Sequence, residues 1–227
     1  NDPQAPFAYG QLALRVSSWM SMQTAAGQLF EVDVRLRPDG VSGLAAISLA
    51  GLEHYLRDKA WVWEHQALTR ARWCAGDAGL ANRFEEIRRD LLRTERDPKI
   101  LASKVCDMRS RMHTGHPNKS SDFDLKHDAG GMVDIEFITQ YLVLAHSANH
   151  PSLLDNAGNI ALLQRAAQAG LIDPELALTC ANAYRRYRSL QHGLRLNEAR
   201  FARVAPETVH AESEAVKSLW SQLFAGR

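Results

Sequence analysis

The stretch Leu29-Phe-Glu-Val-Asp-Val-Arg-Leu-Arg-Pro-Asp-Gly40 decides how the rest of the chain is read. Phe30, Val32, Val34 and Leu36 alternate strictly with Glu31, Asp33, Arg35 and Arg37, the period-two pattern of a half-buried strand. One face is apolar and the other charged, in the order acid, acid, base, base. Pro38 has no N–H for a sheet ladder and Pro38-Asp39-Gly40 is turn chemistry, so the predicted strand ends there. Two readings fit this pattern. In one, an ordinary amphipathic strand turns a solvated face outward. In the other, Asp33 ligates a metal while Arg35 and Arg37 meet phosphates in a cleft, because carboxylates hold Mg²⁺ and guanidinium forks match phosphate oxygens.

On the N-terminal side, Tyr9, Leu12, Val16 and Trp19 recur with helical spacing, predicting a helix from Tyr9 to about Ala25 that Gly27 ends. On the C-terminal side, Val41–Ser48 suits a short second strand or extended loop, and Ser48 a helix N-cap. Helical periodicity dominates from there. Asp58–Ala75, a helix capped by Asp77, one opened by Asp97-Pro98 and running to about His113, Met132–His146, and Asn156–Ala169 all read as helices. Asp173-Pro174 opens another that reaches about Leu196, and a last helix carries Val216, Leu219, Trp220 and Leu223. Phe123–His127 reads as extended. The predicted fold is mainly α: residues 1–50 as the tail end, helix plus one or two strands, of a mixed α/β domain, and residues 51–227 as a helical bundle.

Composition narrows the classes of function. The chain has 227 residues, 45% of them hydrophobic and 23% charged, with a net charge of +1, which fits an ordinary globular protein. No global basic field argues for nucleic acid. No apolar run is long enough to span a bilayer, and the start lacks a secretion signal. Cys74, Cys106 and Cys180 are scattered and never form a Cys-x-x-Cys pair, which suits reduced thiols in a cytoplasmic protein. The polar, Met-less lead-in Asn1–Ala8 suggests a piece of something longer.

Three further stretches can carry chemistry. In Phe123-Asp-Leu-Lys-His-Asp-Ala-Gly-Gly-Met-Val-Asp-Ile-Glu-Phe137, Gly130 and Gly131 run into a helix start. Free N–H groups and the positive end of the helix dipole there suit an anion, with Lys126 adding a point charge. The plainer reading is that the glycines only turn the chain while Asp134 and Glu136 complement the dipole. Asp122-x-Asp124 has the spacing of a two-metal carboxylate pair, a weak signal that chance also produces. Trp61–Arg72 interleaves aromatic and basic residues that either hold a nucleotide or pack in a core. His113-x-x-His116 lacks the companions of a zinc site.

Taken together, three blocks resemble glutamate–ammonia ligase adenylyltransferase, the family that modifies glutamine synthetase. They are Glu31-Val-Asp-Val-Arg-Leu-Arg-Pro-Asp-Gly40, Trp61-Val-Trp-Glu-His-Gln-Ala-Leu-Thr-Arg-Ala-Arg72, and the Phe123–Leu142 segment with its Gly-Gly-Met-Val-Asp-Ile-Glu-Phe core. The resemblance implies a polymerase-β-like nucleotidyltransferase domain in which three carboxylates hold two Mg²⁺ ions and ATP is the substrate. Asp33 stands where the third carboxylate would, and Arg35 and Arg37 where phosphate charge would be steadied. Lys126, Gly130, Gly131, Asp134 and Glu136 are expected to contact nucleotide or the acceptor protein.

The resemblance further implies glutamine synthetase and the PII signal protein as partners, and AMP transfer to a tyrosine of the former. The family's Gly-Ser-x-x-Asp-x-Asp segment has no counterpart in residues 1–28, which contain only Asp2. The isolated chain is therefore expected to be inactive. Its end, Leu219–Arg227, reads as a natural terminus and points to the C-terminal, adenylylating half. Two alternatives stand beside this: a non-catalytic docking module for glutamine synthetase or PII, and the deadenylylating half or a PII uridylyltransferase relative. The Trp61–Arg72 block argues against the uridylyltransferase.

Overall fold

The computed structural model describes residues 4–28 and 31–225. They form nine α-helices and two sheets of two short strands each. Helix α1 spans Ala5–Met20 and is followed by a small antiparallel hairpin, β1 Gln23–Thr24 and β2 Gly27–Gln28. The helix thus stops short of the Ala25 expected from its periodicity, because the chain reverses at once into the hairpin.

Residues 31–35 take no regular structure and Leu36–Arg37 form a bend, so none of them pairs in a sheet, and Phe30 of the predicted strand lies outside the described residues. Alternation makes a strand only where a neighbour supplies the ladder, since unpaired N–H and C=O groups otherwise stay with water. Val34 and Leu36 are both exposed here. Of the two readings of Val41–Ser48 the structure has the loop, which a 3₁₀ turn at Gly40–Ser42 opens.

The helical body begins at α2, Leu49–Asp58, whose N-cap Ser48 Oγ accepts from Gly51 N at 3.1 Å as its sequence predicts. Next comes α3, Val62–Leu68, much shorter than the predicted Asp58–Ala75. Trp61 and Trp73 flank it and are exposed, so neither packs in a core. Helices α4, Ala78–Leu92, and α5, Pro98–Gly115, start at the expected caps, Asp77 and Asp97.

Strand β3, Phe123–Asp124, pairs antiparallel with β4, Arg203–Val204, in the register Phe123↔Val204 and Asp124↔Arg203. Helix α6, Met132–His146, matches its predicted span and is apolar on all sides, which marks it as the central helix. Around it pack α5, α7 (Asn159–Gln168), α8 (Pro174–Leu196) and α9 (His210–Phe224). Leu92, Val105, Ile135, Ile138, Leu163 and Leu219 are among the residues that fill the core between them.

Candidate functional site

The predicted site segment and the helical body meet at one place. Asp33 is exposed, and both its oxygens are taken by the residue two positions on. Its Oδ1 accepts from Arg35 N and Nε, each at 2.9 Å, and its Oδ2 from Arg35 Nη2 at 2.7 Å. This fork pulls the Asp33 carboxyl down to about 2. Arg37 turns the other way and donates from Nε to Gly40 O at 2.9 Å, which closes the Pro38-Asp39-Gly40 turn. Asp39 takes a left-handed conformation there, φ 61°, one that aspartate tolerates better than most residues.

That turn lies against α2 and α3. Tyr55 Oη donates to Glu64 Oε1 at 2.8 Å, and the other Glu64 oxygen accepts from Trp61 N at 2.8 Å. Burial and the Glu64 charge push the Tyr55 hydroxyl above its ordinary range. Arg37, Tyr55, Trp63, Glu64 and Arg70 line one cavity of about 320 Å³. The first two motif blocks therefore share a wall, with Arg37 at the join.

The second and third blocks also meet, in a polar seam between α3, α6, α7 and α8. Gln66 Nε2 donates to Gln140 Oε1 at 3.0 Å, while Gln66 Oε1 is buried with no partner. Arg70 Nη1 reaches Ala157 O at 3.2 Å and Asn159 Oδ1 at 3.3 Å, and Thr139 Oγ1 donates to the same Asn159 oxygen at 3.2 Å. Glu136 Oε1 accepts from Tyr184 Oη at 3.0 Å. Glu136 is thus a tie between α6 and α8, and its charge adds to burial in raising the Tyr184 hydroxyl.

The glycine turn differs from the anion cradle that its sequence suggests. Gly130 N donates to Asp134 Oδ2 at 2.6 Å, Gly131 N to Asp128 O at 2.9 Å, Met132 N to Leu125 O at 2.9 Å and Val133 N to Lys126 O at 3.1 Å. The N–H groups of both glycines and of the first two helical residues are thus engaged within the chain. Asp134 is buried, and its Oδ1 accepts from Arg109 Nε of α5, whose Nη2 also donates to His127 O at 2.9 Å. Gly130 has φ 87°, and a Cβ there would stand 2.6 Å from Ser213 O of α9. The glycines let the turn form and let α9 approach, so Gly130, Gly131 and Asp134 hold the fold together here. Lys126, by contrast, is exposed.

Carboxylates do not gather into a metal site. Asp124 Oδ1 accepts from Lys126 N at 3.0 Å and His127 N at 2.9 Å, and its Oδ2 lies 3.5 Å from Arg203 Nε. The Asp122-x-Asp124 pair is therefore a turn, with Asp122 in solvent. Among the described residues no three His, Cys, Asp or Glu side chains stand close enough to hold an ion. Asp33 alone, with both oxygens engaged by Arg35, does not fit Mg²⁺.

Sequence reasoning missed Arg109 and Arg203, which find Asp134 and Asp124 across long stretches of chain, and Tyr55, which meets Glu64 of the next helix. Only an acid buried among apolar neighbours, as Asp134 is in its helix, hints that such a partner exists.

Comparison with known proteins agrees with the motif blocks. The family model described as glutamate-ammonia ligase adenylyltransferase matches residues 3–87, and that of GlnD PII-uridylyltransferase matches residues 99–206. The bifunctional glutamine synthetase adenylyltransferase/adenylyl-removing enzyme of Bordetella bronchiseptica is 54% identical over 216 residues, 95% of this chain and 23% of the relative. The enzymes of the same description from Aromatoleum aromaticum and Chromobacterium violaceum are 51% and 49% identical, each over 98% of this chain and 24% of the relative. The chain spans about a quarter of the length of these curated relatives. On these grounds it belongs to the glutamate–ammonia ligase adenylyltransferase family.

Proposed function

We propose that this chain is part of an adenylyltransferase that moves AMP from ATP onto a tyrosine of glutamine synthetase, from the C-terminal, adenylylating half. The observation that carries the reading is the similarity over nearly the whole chain to enzymes described by that activity. The shared wall of the first two motif blocks, with Arg37 beside Trp63, Glu64 and Arg70, supports a site there.

The chain's own contribution is then positional. The Tyr55–Glu64 bond ties α2 to α3, and Arg37, held by Gly40 O, lines the same cavity beside them. A guanidinium at that point meets phosphate charge with directed N–H groups. In the full enzyme Asp33 is the expected Mg²⁺ carboxylate, but a single carboxylate held by Arg35 does not assemble a two-ion site. The isolated chain is therefore expected not to transfer AMP. Incubation with ATP, Mg²⁺ and glutamine synthetase should leave the tyrosine unmodified, and robust labelling would overturn that part of the reading. In the full-length enzyme, Arg37→Ala should lower the adenylylation rate at least tenfold, with melting unchanged; a full rate would remove Arg37 from the site.

A second reading rests on the match of residues 99–206 to PII-uridylyltransferase. Here the helical body is a docking module for PII or for glutamine synthetase, in the cytoplasm where both would be met. Capture of either partner by this chain, lost in Lys126→Ala, would favour docking over catalysis.

A further inference from the structure

We infer that the groove between the Asp124–His127 turn, the C-terminal end of α8 and β4 is a binding site for a phosphate-bearing small molecule. It shares no lining residue with the Arg37 cavity and does not depend on the function proposed above. Lys126, Arg195, Arg200 and Arg203 line it against one carboxylate, Asp124, around a cavity of about 290 Å³. The chain as a whole carries only +1, so this concentration of cations is local.

The carboxylate is already committed. Both Asp124 oxygens are engaged, one by the Lys126 and His127 backbone N–H groups and the other facing Arg203. Lys126, Arg195 and Arg200 form no ion pair among the described residues. Like charges held together in a concave wall repel one another, and the arrangement favours a multivalent anion that relieves this. Two kinds of donor are present. Guanidinium groups bind two phosphate oxygens in parallel, and the lysine adds a compact charge.

The walls add a second feature. The His116 and His127 rings stack with centroids 4.4 Å apart and planes within 3°. Phe201 is half exposed, with the Arg203 guanidinium 4.3 Å and the Arg200 guanidinium 5.2 Å from its ring centre. A flat ring beside a cluster of cations suits a base attached to a phosphate. The small volume, at the lower end for ligand pockets, favours inorganic phosphate or a nucleoside monophosphate over a nucleic-acid strand.

The test titrates inorganic phosphate, AMP and sodium sulfate at matched ionic strength into ¹⁵N-labelled chain. Saturable shifts at the His127, Phe201 and Arg203 amides are expected with phosphate or AMP. The exposed-residue variant Lys126→Gln/Arg195→Gln should bind roughly tenfold more weakly with an unchanged melting temperature. Saturation by phosphate alone identifies a free-phosphate site. Tighter binding of AMP, with the advantage lost in Phe201→Ala, identifies a nucleoside phosphate. Shifts that rise linearly, match those with sulfate, or persist at full strength in the double variant overturn the proposal. None of these results touches AMP transfer, so failure here and failure of the transferase reading are separable.

Discussion

Residues 4–47 and the helical body from Ser48 onward have similar apolar content and opposite fates. Helix α1 carries Phe7, Leu12, Leu14, Val16 and Trp19, all exposed, and buries no residue. Helix α6 is of nearly the same length and buries eleven side chains, from Met132 to Leu144. The difference is in what surrounds them. Five other helices and a 3₁₀ turn pack against α6, so each apolar group leaves water at roughly 25 cal/mol per Å². An apolar stripe states which face of an element needs cover; only the rest of the fold decides whether cover is present. The same rule separates the predicted strand from the stretch read as extended, since residues 31–37 lack a ladder while Phe123–Asp124 gains one from Arg203–Val204.

If this contrast is right, the body should be sensitive to single buried groups. The largest effect is expected at the Arg109–Asp134 pair, whose side chains are 8% and 7% exposed. Asp134→Ala leaves a buried guanidinium and the Gly130 N–H without their acceptor. Removing one partner of such a pair costs about 3–5 kcal/mol, a large share of a domain's stability. Urea unfolding of the variant checks it. Adding Arg109→Met should cost less than the sum of the single changes, because the orphaned charge goes with it. A loss under about 1 kcal/mol in Asp134→Ala would mean that the turn does not depend on the ion pair.

A smaller effect is expected from Gly130→Ala. The residue's φ of 87° is strained for any L side chain, and the added Cβ would meet Ser213 O at 2.6 Å. About 2–3 kcal/mol should be lost, with α9 shifting away from the turn. Hydrogen exchange over His210–Phe224 would show the shift as lost protection, and unchanged protection would break the claimed close approach.

Next comes a pH effect on the body. His65 Nε2 lies 2.8 Å from Leu56 O and is largely out of solvent, and this burial lowers its affinity for a proton. The folded state therefore binds fewer protons than the unfolded chain just below the ordinary histidine range near about 6.5. The stability this histidine contributes is complete above that range and is lost as pH falls through it. His65→Gln, which keeps a donor for Leu56 O, should lose less melting temperature than the parent between neutrality and about pH 5.5. The carboxylates with lowered affinity, Glu53, Asp97 and Glu214, titrate below that window and do not confuse the comparison.

How much of this was legible in the residues depended on range. Caps act on the next turn of backbone, so Ser48, Asp77, Asp97 and Asp173 marked helix starts that the structure keeps. The span of α6 followed from its predominantly apolar sequence and from Gly131 before it. The site was less legible. The block around Lys126 stood out as chemically loaded, but its Gly-Gly helix start is satisfied internally. The cations that share a groove with Lys126 come from the far end of α8, the loop after it and β4. Nothing local in the sequence joins Lys126 to Arg203; only the pairing of β3 with β4 does so.

The smallest effect is predicted where the apolar side chains are largest. Leu12 and Trp19 of α1 are 51% and 64% exposed, so Leu12→Gln and Trp19→Ser remove little buried area from this chain. Each should change the unfolding free energy of the body by less than about 0.5 kcal/mol. Their effect should be on the surface instead, as weaker binding of a hydrophobic dye and a lower tendency to self-associate. A loss comparable to that of Asp134→Ala would mean that α1 packs on the body in solution, and the division between the two regions would fall. Equal insensitivity in the full-length enzyme would carry the opposite lesson: the stripe would then need no cover anywhere, and its periodicity would be the ordinary signature of a helix rather than of a face awaiting a partner.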